Sequence, residues 1–237
     1  SKNNNYTRQE NFTPNNIYTS ESTSKTRNQS FNHNINTSIE VKIDSTSSIW
    51  FEPKYTYNKT KSSNLFDRKT WNEASEIANE SYGDTNSQSL NQTFSNSINY
   101  YKTFRNKMEF SLDYSSSSAR NRSDETNRSQ TYFYQNDQAD DIRNQLTQNR
   151  KKQDEHNIES EFGFKVMDSA KLYVGAELEF KNDRDDQFTY DFDDLNQTYT
   201  DENEFLSMQV SSEFQKFNPY LAYRVTKDKL FISFNAG

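Results

Sequence analysis

Two histidines and one run of carboxylates are the residues of this chain whose types suggest chemistry. His33 alternates with the apolar residues Phe31 and Ile35, and His156 follows a charged run. Histidine catalysis requires a nucleophile or a carboxylate held beside the imidazole, and no motif of that kind surrounds either residue. We therefore interpret His33 as part of an apolar strand face and His156 as an exposed residue. The sequence predicts no enzymatic activity and no organic cofactor.

The carboxylates suggest a different chemistry, because oxygen-rich loops bind Ca²⁺. The strongest set is Asp185, Asp186, Asp191 and Asp193. Their spacing matches no EF-hand, and the glycine that such a loop needs at its sharp turn is missing. A solvated acidic surface explains the same residues, and we favour it over a calcium site.

Composition excludes several classes of protein. The 237 residues carry a net charge of −7, which disfavours a nucleic-acid partner. Leu, Ile, Val and Phe make up about 18% of the chain, too few for a buried parallel sheet. The absence of cysteine excludes a disulfide scaffold, and no apolar run is long enough for a transmembrane helix. An aromatic content of 15% nevertheless argues against disorder.

Apolar residues recur at every second position in eight segments, a period that is typical of strands with one apolar and one polar face. In the seventh segment the apolar positions change parity near residues 216–219, which predicts a β-bulge. The eight predicted strands are 31–43, 49–57, 90–100, 108–114, 158–166, 172–180, 206–225 and 230–236.

The connections between these strands alternate in length. Short turns are predicted at 44–48, 104–107, 167–170 and 226–229, and long polar loops at about 61–87, 119–154 and 183–203. Transmembrane β-barrels show this alternation, with short periplasmic turns on one rim and long extracellular loops on the other.

Two of these loops have further features. Within residues 136–148, Ile142 and Leu146 are four positions apart, which suggests a short helix. The loop over residues 119–154 carries many cations, among them Arg120 and Arg122. These cations are of a type that contacts lipopolysaccharide phosphates, although an ordinary mixed-charge surface accounts for them as well and is the interpretation we favour.

The two faces of the strands decide between a membrane and a soluble protein. The strands show four or five apolar positions in a row, a stretch of about 9–11 residues where it is complete, which is the length that a tilted strand needs to cross the hydrocarbon layer. We interpret the apolar face as lipid-facing and the polar face as the lining of a lumen. The residues predicted to face lipid are Ile39, Val41, Phe51, Phe110, Leu112, Phe162, Phe164, Val174, Leu178, Met208, Val210 and Ile232.

The sequence therefore predicts an all-β fold, an antiparallel transmembrane β-barrel with about eight long strands in this chain. We interpret residues 1–237 as a segment of an outer-membrane β-barrel domain within a longer chain, with a signal peptide outside this segment.

The segments 30–49 and 55–63 descend as alternating apolar residues and asparagines, turn on Asp-Ser-Thr-Ser-Ser and climb as Tyr-Thr-Tyr into a Ser-rich stretch. This pattern resembles the outer-membrane β-barrel region of TonB-dependent receptor-like proteins of Bacteroidetes. The resemblance implies a barrel of about 22 strands in the cell outer membrane, a plug domain, and contact with a TonB-type energy transducer through an N-terminal region. Lipid, lipopolysaccharide and surface lipoproteins are the other partners it implies.

Three functions stay open at this stage. The first is a TonB-dependent receptor or transporter of unknown substrate, and the second is a non-transporting barrel that serves as a structural or interaction component of an outer-membrane complex. The third is a soluble adhesin-like β domain, although the 4 glycines are few for the tight turns of a solenoid.

Overall fold

The computed structural model describes residues 1–13, 16–135, 139–227 and 230–236, and every regular element in these ranges is a β-strand. The strands are β1 (Lys2–Thr13), β2 (Asn16–Asn36), β3 (Ile39–Asp44), β4 (Ser47–Trp71), β5 (Ile77–Thr103), β6 (Glu109–Phe133), β7 (Asp141–Met167), β8 (Ala170–Asp193), β9 (Thr198–Glu202), β10 (Met208–Lys227) and β11 (Leu230–Ala236). The predicted all-β class is confirmed.

The strands form one antiparallel sheet in the order β1-β2-β4-β5-β6-β7-β8-β10-β11. Strand β3 continues β2 along β4 after a two-residue interruption, and β9 pairs with the far end of β8. Strands β1 and β11 lie at opposite edges and do not pair, so the sheet is open over the described residues.

The long loops of the sequence prediction are wrong as loops. Residues 61–87 lie almost entirely in β4 and β5, whose ladder continues to a turn at 72–76. Residues 119–154 and 183–203 are likewise mostly strand. The correct description is a set of hairpins with strands of 20 to 27 residues in the centre of the sheet. The backbone hydrogen bonds continue where the apolar alternation stops, because the ladder itself satisfies the polar groups of the backbone.

Three of the four predicted short turns lie within the described residues, and each of them joins the two strands of a different hairpin. Residues 228–229 of the fourth lie outside the described residues, as do residues 136–138 of the predicted helix. The rest of that helix is wrong, because Asp141–Gln148 lies in β7. Ile142 and Leu146 share a face of this strand, since residues four apart do so in a strand as well as in a helix.

The predicted bulge near residues 216–219 is also wrong. Pairing between β8 and β10 runs from Met208 to Val225 without a register shift. The apolar positions of β10 therefore change face, while the backbone does not.

The sheet is a single layer with almost no core. In the described part of the chain the buried apolar residues are three alanines, Ala78, Ala170 and Ala222, and no large side chain is fully buried. No helix in the described ranges has the length and hydropathy needed to span a bilayer.

Candidate functional site

One face of the sheet carries an apolar band, which we call the belt; the face is called the belt face. Residues directly opposite each other in a ladder share a face, so the register assigns each side chain to a face. Five consecutive belt-face positions are apolar or aromatic on each of three strands: Ile49, Phe51, Pro53, Tyr55 and Tyr57 on β4; Leu172, Val174, Ala176, Leu178 and Phe180 on β8; Phe217, Pro219, Leu221, Tyr223 and Val225 on β10.

The strands between and beside these three complete the belt. Phe110, Leu112 and Tyr114 of β6 and Ile158, Phe162 and Phe164 of β7 lie in it, and the Phe110 and Phe162 rings are 4.5 Å apart between centroids. Polar residues interrupt it on the middle strands: Asn96 Nδ2 donates to Ser116 Oγ at 2.8 Å, and Gln92 Nε2 donates to the Tyr55 hydroxyl at 3.2 Å. These polar side chains within the belt thus hydrogen-bond to a neighbour, while the buried Asn96 Oδ1 has no partner among the described residues.

The register places ten of the twelve residues predicted to face lipid on the belt face. Met208 and Val210 are the exceptions. They pair with Gln187 and Asp185 on the opposite face, so their assignment to the same face as the other ten is wrong.

The belt runs diagonally across the sheet. On β4 the belt is centred on Pro53. The row of directly opposite residues that contains Pro53 reaches β8 at Phe180 and β10 at Gln215. The belt centres of these two strands, Ala176 and Leu221, lie four and six residues nearer the short turns. At about 3.3 Å per residue and about 4.8 Å between strands, these shifts correspond to strands inclined by about 35–40° to the normal of the belt. Strands of closed barrels are tilted by a similar angle.

The belt is uncovered. Val174 is 45% exposed and Leu221 48% exposed, and no second layer packs on them in the described residues. Sheets of soluble domains bury such a face against another layer, so this face requires an apolar environment outside the sheet.

The opposite face of the same strands is polar, and two tyrosines bind its strands together. Tyr220 of β10 lies directly opposite Gly175 of β8, and its ring occupies the place of the missing side chain: a Cβ on Gly175 would lie 2.4 Å from Tyr220 Cζ. The hydroxyl reaches past β8 to β7, where it donates to Glu159 Oε1 at 2.9 Å or to Glu161 Oε2 at 3.1 Å. One side chain therefore connects three strands.

A second glycine–tyrosine pair lies beside the first. Tyr173 of β8 covers Gly163 of β7, and the guanidinium of Arg224 lies 4.1 Å from the centroid of the Tyr173 ring. Arg224 Nη2 also forms an ion pair with Glu161 Oε2 at 3.1 Å. Lys171 Nζ and Glu109 Oε1 form another, at 2.6 Å. The polar face is thus a connected network of carboxylates, cations and tyrosines, suited to contact with water.

Sequence reasoning missed both glycine–tyrosine pairs. The available signal was the presence of Gly163 and Gly175 inside predicted strands of a chain with only 4 glycines. A glycine within a strand often marks a close approach of another group. Its tyrosine partner, however, depends on the register between strands.

The four carboxylates considered for calcium are not brought together. Asp185 and Asp186 are neighbours in β8 and point to opposite faces, and each has a cation: Lys151 lies 3.7 Å from Asp185, and Arg184 2.8 Å from Asp186. Asp191 accepts a hydrogen bond from Gln145, and Asp193 accepts from backbone groups of its turn. The described residues contain no group of three or more ligands that could hold a metal ion.

The histidines lie on the belt face, on different strands. The His33 ring contacts the Phe31 ring edge-on at 4.4 Å, and the His156 Nδ1 atom lies 2.9 Å from the Tyr114 hydroxyl. Both histidines are exposed. The structure supplies neither with a hydrogen-bonded carboxylate or nucleophile in the described residues.

Comparison with known proteins gives no further guide: no protein-family model and no curated protein matches this chain.

Proposed function

We propose that the chain forms part of the wall of an outer-membrane β-barrel of the TonB-dependent receptor-like kind, with the belt against lipid and the opposite face lining a polar interior. The observation that best supports a barrel wall is that the belt runs diagonally across the strands. A plane of lipid cuts tilted strands at a level that moves steadily from strand to strand, and the belt moves in this way by about 35–40°.

The height of the belt along each strand supports the same proposal. Five alternate positions on β4, β8 and β10 span nine residues, for example Leu172–Phe180. A strand tilted by about 45° needs about 9–11 residues to cross the hydrocarbon layer. The strands continue beyond the belt on the side away from the short turns, so in the proposed barrel they project outside the membrane.

Transport of a substrate is the part of the proposal that rests on the sequence resemblance. Swelling of liposomes that contain the full-length protein tests it, with uncharged sugars of increasing size as solutes. Sugar entry that stops at a size limit supports an open or openable lumen. Because a plug would also block passive entry, uptake by intact cells is the second measurement, and a lumen that stays closed both in liposomes and in intact cells supports a non-transporting barrel.

Site-directed spin labelling tests the wall itself. The chain has no cysteine, so a cysteine introduced into it is the only labelling site within these residues. Any cysteine elsewhere in the full-length protein is replaced first, and the single-cysteine variants are studied in lipid vesicles. Labels at Val174 and Leu178 are expected to collide more often with oxygen than with a water-soluble nickel complex. Labels at Glu177 and Glu179, on the opposite face, are expected to show the reverse.

A label at Phe188 is the matched control, because it lies on the belt face of the same strand above the belt. It is expected to be accessible to nickel. Nickel access at Leu178 equal to that at Phe188 contradicts the proposal, as does burial of Leu178 from both reagents, which would indicate a dry protein core as in a soluble β domain.

A further inference from the structure

Five cations form a compact cluster on the belt face, beyond the belt on the side away from the short turns. In one row Arg120, Lys152 and Arg184 lie directly opposite each other on β6, β7 and β8. In the next row Arg122 lies directly opposite Arg150. We call these five residues the cationic cluster.

This arrangement is unfavourable in the absence of a ligand, because like charges directly opposite each other destabilise a sheet. Three carboxylates offset part of the charge: Arg150 pairs with Asp124 at 2.6 Å, Lys152 with Asp154 at 2.8 Å, and Arg184 with Asp186 at 2.8 Å. Arg120 and Arg122 form no ion pair with any described residue, and both are exposed. Two guanidinium groups, two residues apart, are therefore left for an anion.

The opposite face differs at the same level. Its charged side chains there neutralise each other, Lys151 with Asp185 at 3.7 Å and Lys181 with Asp183 at 3.4 Å. The unpaired positive charge at this level therefore belongs to the belt face, although the whole chain is acidic.

The position of the cluster relative to the belt indicates its occupant. The upper end of the belt is Tyr57 on β4 and Phe180 on β8, and a line between them crosses β6 at Ser118. Arg120 is two residues beyond this line, about 7 Å along the strand. In the proposed barrel this is the depth of lipid headgroups, which extend several ångströms beyond the hydrocarbon.

We infer that the cationic cluster binds the phosphate groups of lipid headgroups in the leaflet farther from the short turns. Arginine forms bidentate hydrogen bonds with phosphate oxygens, and Arg120 and Arg122 are the principal contacts. This inference depends on the proposed function, since the cluster lies at the depth of the headgroups only if the belt faces lipid.

Lipid binding to the purified full-length protein tests the inference. The probes are detergent-dispersed lipid A with two phosphates, the same lipid after phosphatase treatment, and inorganic phosphate. The doubly substituted variant R120Q/R122Q is expected to bind phosphorylated lipid A about tenfold or more weakly, since a hydrogen bond to a charged group contributes about 1.5–3 kcal/mol. Removal of the phosphates is expected to weaken binding to the natural chain by a similar factor.

The matched control is K54Q/R68Q, which removes two exposed cations from the opposite face of β4. Its affinity for lipid A is expected to stay within about twofold of the natural chain. An equal loss in both variants overturns the inference, and so does binding of inorganic phosphate as tight as that of the lipid. If the label at Leu178 faces lipid and R120Q/R122Q binds normally, only this inference fails; if that label does not face lipid, the proposed function fails with it.

Discussion

We call the part of the sheet that contains the belt, toward the short turns, the lower half, and the part beyond the belt the upper half. The two halves share one hydrogen-bond ladder but differ in the environment that their side chains need. Along β8, Leu172–Phe180 is apolar on the belt face and polar on the other, whereas Lys181–Thr189 is largely polar on both faces. The belt needs an apolar environment, and the upper half needs none. Water therefore bathes both faces of the upper half in the proposed barrel.

The upper half is stabilised by pairs of side chains across strands. Arg128 and Asp84 form an ion pair at 2.9 Å, as do Lys69 and Glu80 at 2.8 Å. Exposed ion pairs contribute about 0–1 kcal/mol each, and other cross-strand pairs about 0.2–1 kcal/mol. In the proposed barrel, the lower half adds the transfer of an apolar face into lipid. We therefore expect charge to be tolerated above the belt and not within it.

The largest expected effect comes from an arginine placed in the belt. Leu178→Arg is expected to destabilise the full-length protein in lipid vesicles by about 2 kcal/mol or more, since a cation costs about 2–4 kcal/mol at the bilayer midplane and Leu178 lies two residues from the belt centre. Phe188→Arg on the same face of the same strand is expected to cost about 1 kcal/mol or less. Denaturant titration in vesicles measures both. Equal losses would show that the two halves do not differ in environment.

The second effect concerns the polar face of the lower half. Gly175→Val places a side chain where the Tyr220 ring lies, and overpacking of this kind costs about 1–3 kcal/mol. The ring must move, and its hydroxyl then loses Glu159 and Glu161. The free energy of unfolding is the measurement, and the combination with Tyr220→Ala is the control. Because the smaller residue frees the space, the double variant should lose less than the sum of the single losses; strict additivity would refute the contact.

A third, local effect is expected in the upper half. Thr189 is 2% exposed, and its hydroxyl lies 3.3 Å from the Thr147 hydroxyl. Thr189→Val removes this hydrogen bond and the one that the hydroxyl donates to the Leu206 carbonyl at 3.4 Å, at a cost of about 1 kcal/mol or more. The amide of Asn203, which donates to the Thr189 carbonyl at 2.8 Å, is expected to exchange faster, while belt amides such as that of Leu178 keep their rates. A uniform change in both halves would mean that they unfold as one unit.

The difference between the halves also explains what the sequence could predict. Strands in the belt alternate between apolar and polar residues, as in Leu172–Phe180, because the belt face and the polar face select different residues. Ser115–Thr131 of β6 shows no such alternation, and it is a strand because β5 and β7 pair with it on both sides. Strand β1 and the first half of β2 were missed for the same reason. A strand that forms because distant segments pair with it need not alternate between apolar and polar residues, so its own sequence shows no period of two.

The faces of β10 show a related limit. Met208 and Val210 continue the alternation of the strand, and sequence alone suggested that a bulge restored them to the apolar face. In the structure the pairing is regular and they lie on the opposite face. Above the belt, apolar residues are no longer confined to one side, so parity there carries no information about the face. Four of the five residues of the cationic cluster lie in the cation-rich segment 119–154, but Arg184 does not, and the like-charge pairs appear only when β6, β7 and β8 are in register.

The smallest expected effect compares an aspartate turn of each half as the pH falls. Thr46 and Lys102 hold the pKa of Asp44 well below its ordinary value, through the Thr46 hydroxyl first and then the ammonium group. At the other end of the sheet, the Asn196 side chain and the backbone amides of Asn196 and Leu195 lower the pKa of Asp193, without a cation.

A carboxylate whose pKa is depressed by folding contributes stability above its unfolded pKa of about 3.9, and that contribution is lost as the pH falls through the folded pKa. Both turns are therefore expected to keep their hydrogen-bonded conformation at neutral pH and to lose it in acid. Because only Asp44 has an ammonium partner, the turn at Asp193 is expected to loosen at the higher pH. Amide chemical shifts of Thr46 and Asn196, followed by NMR from pH 6 downwards, measure the two midpoints. A midpoint for Asn196 below that of Thr46 would contradict this order. It would show that the hydrogen bonds at Asp193 lower the pKa more than the hydrogen bonds and the Lys102 ammonium group at Asp44 do together.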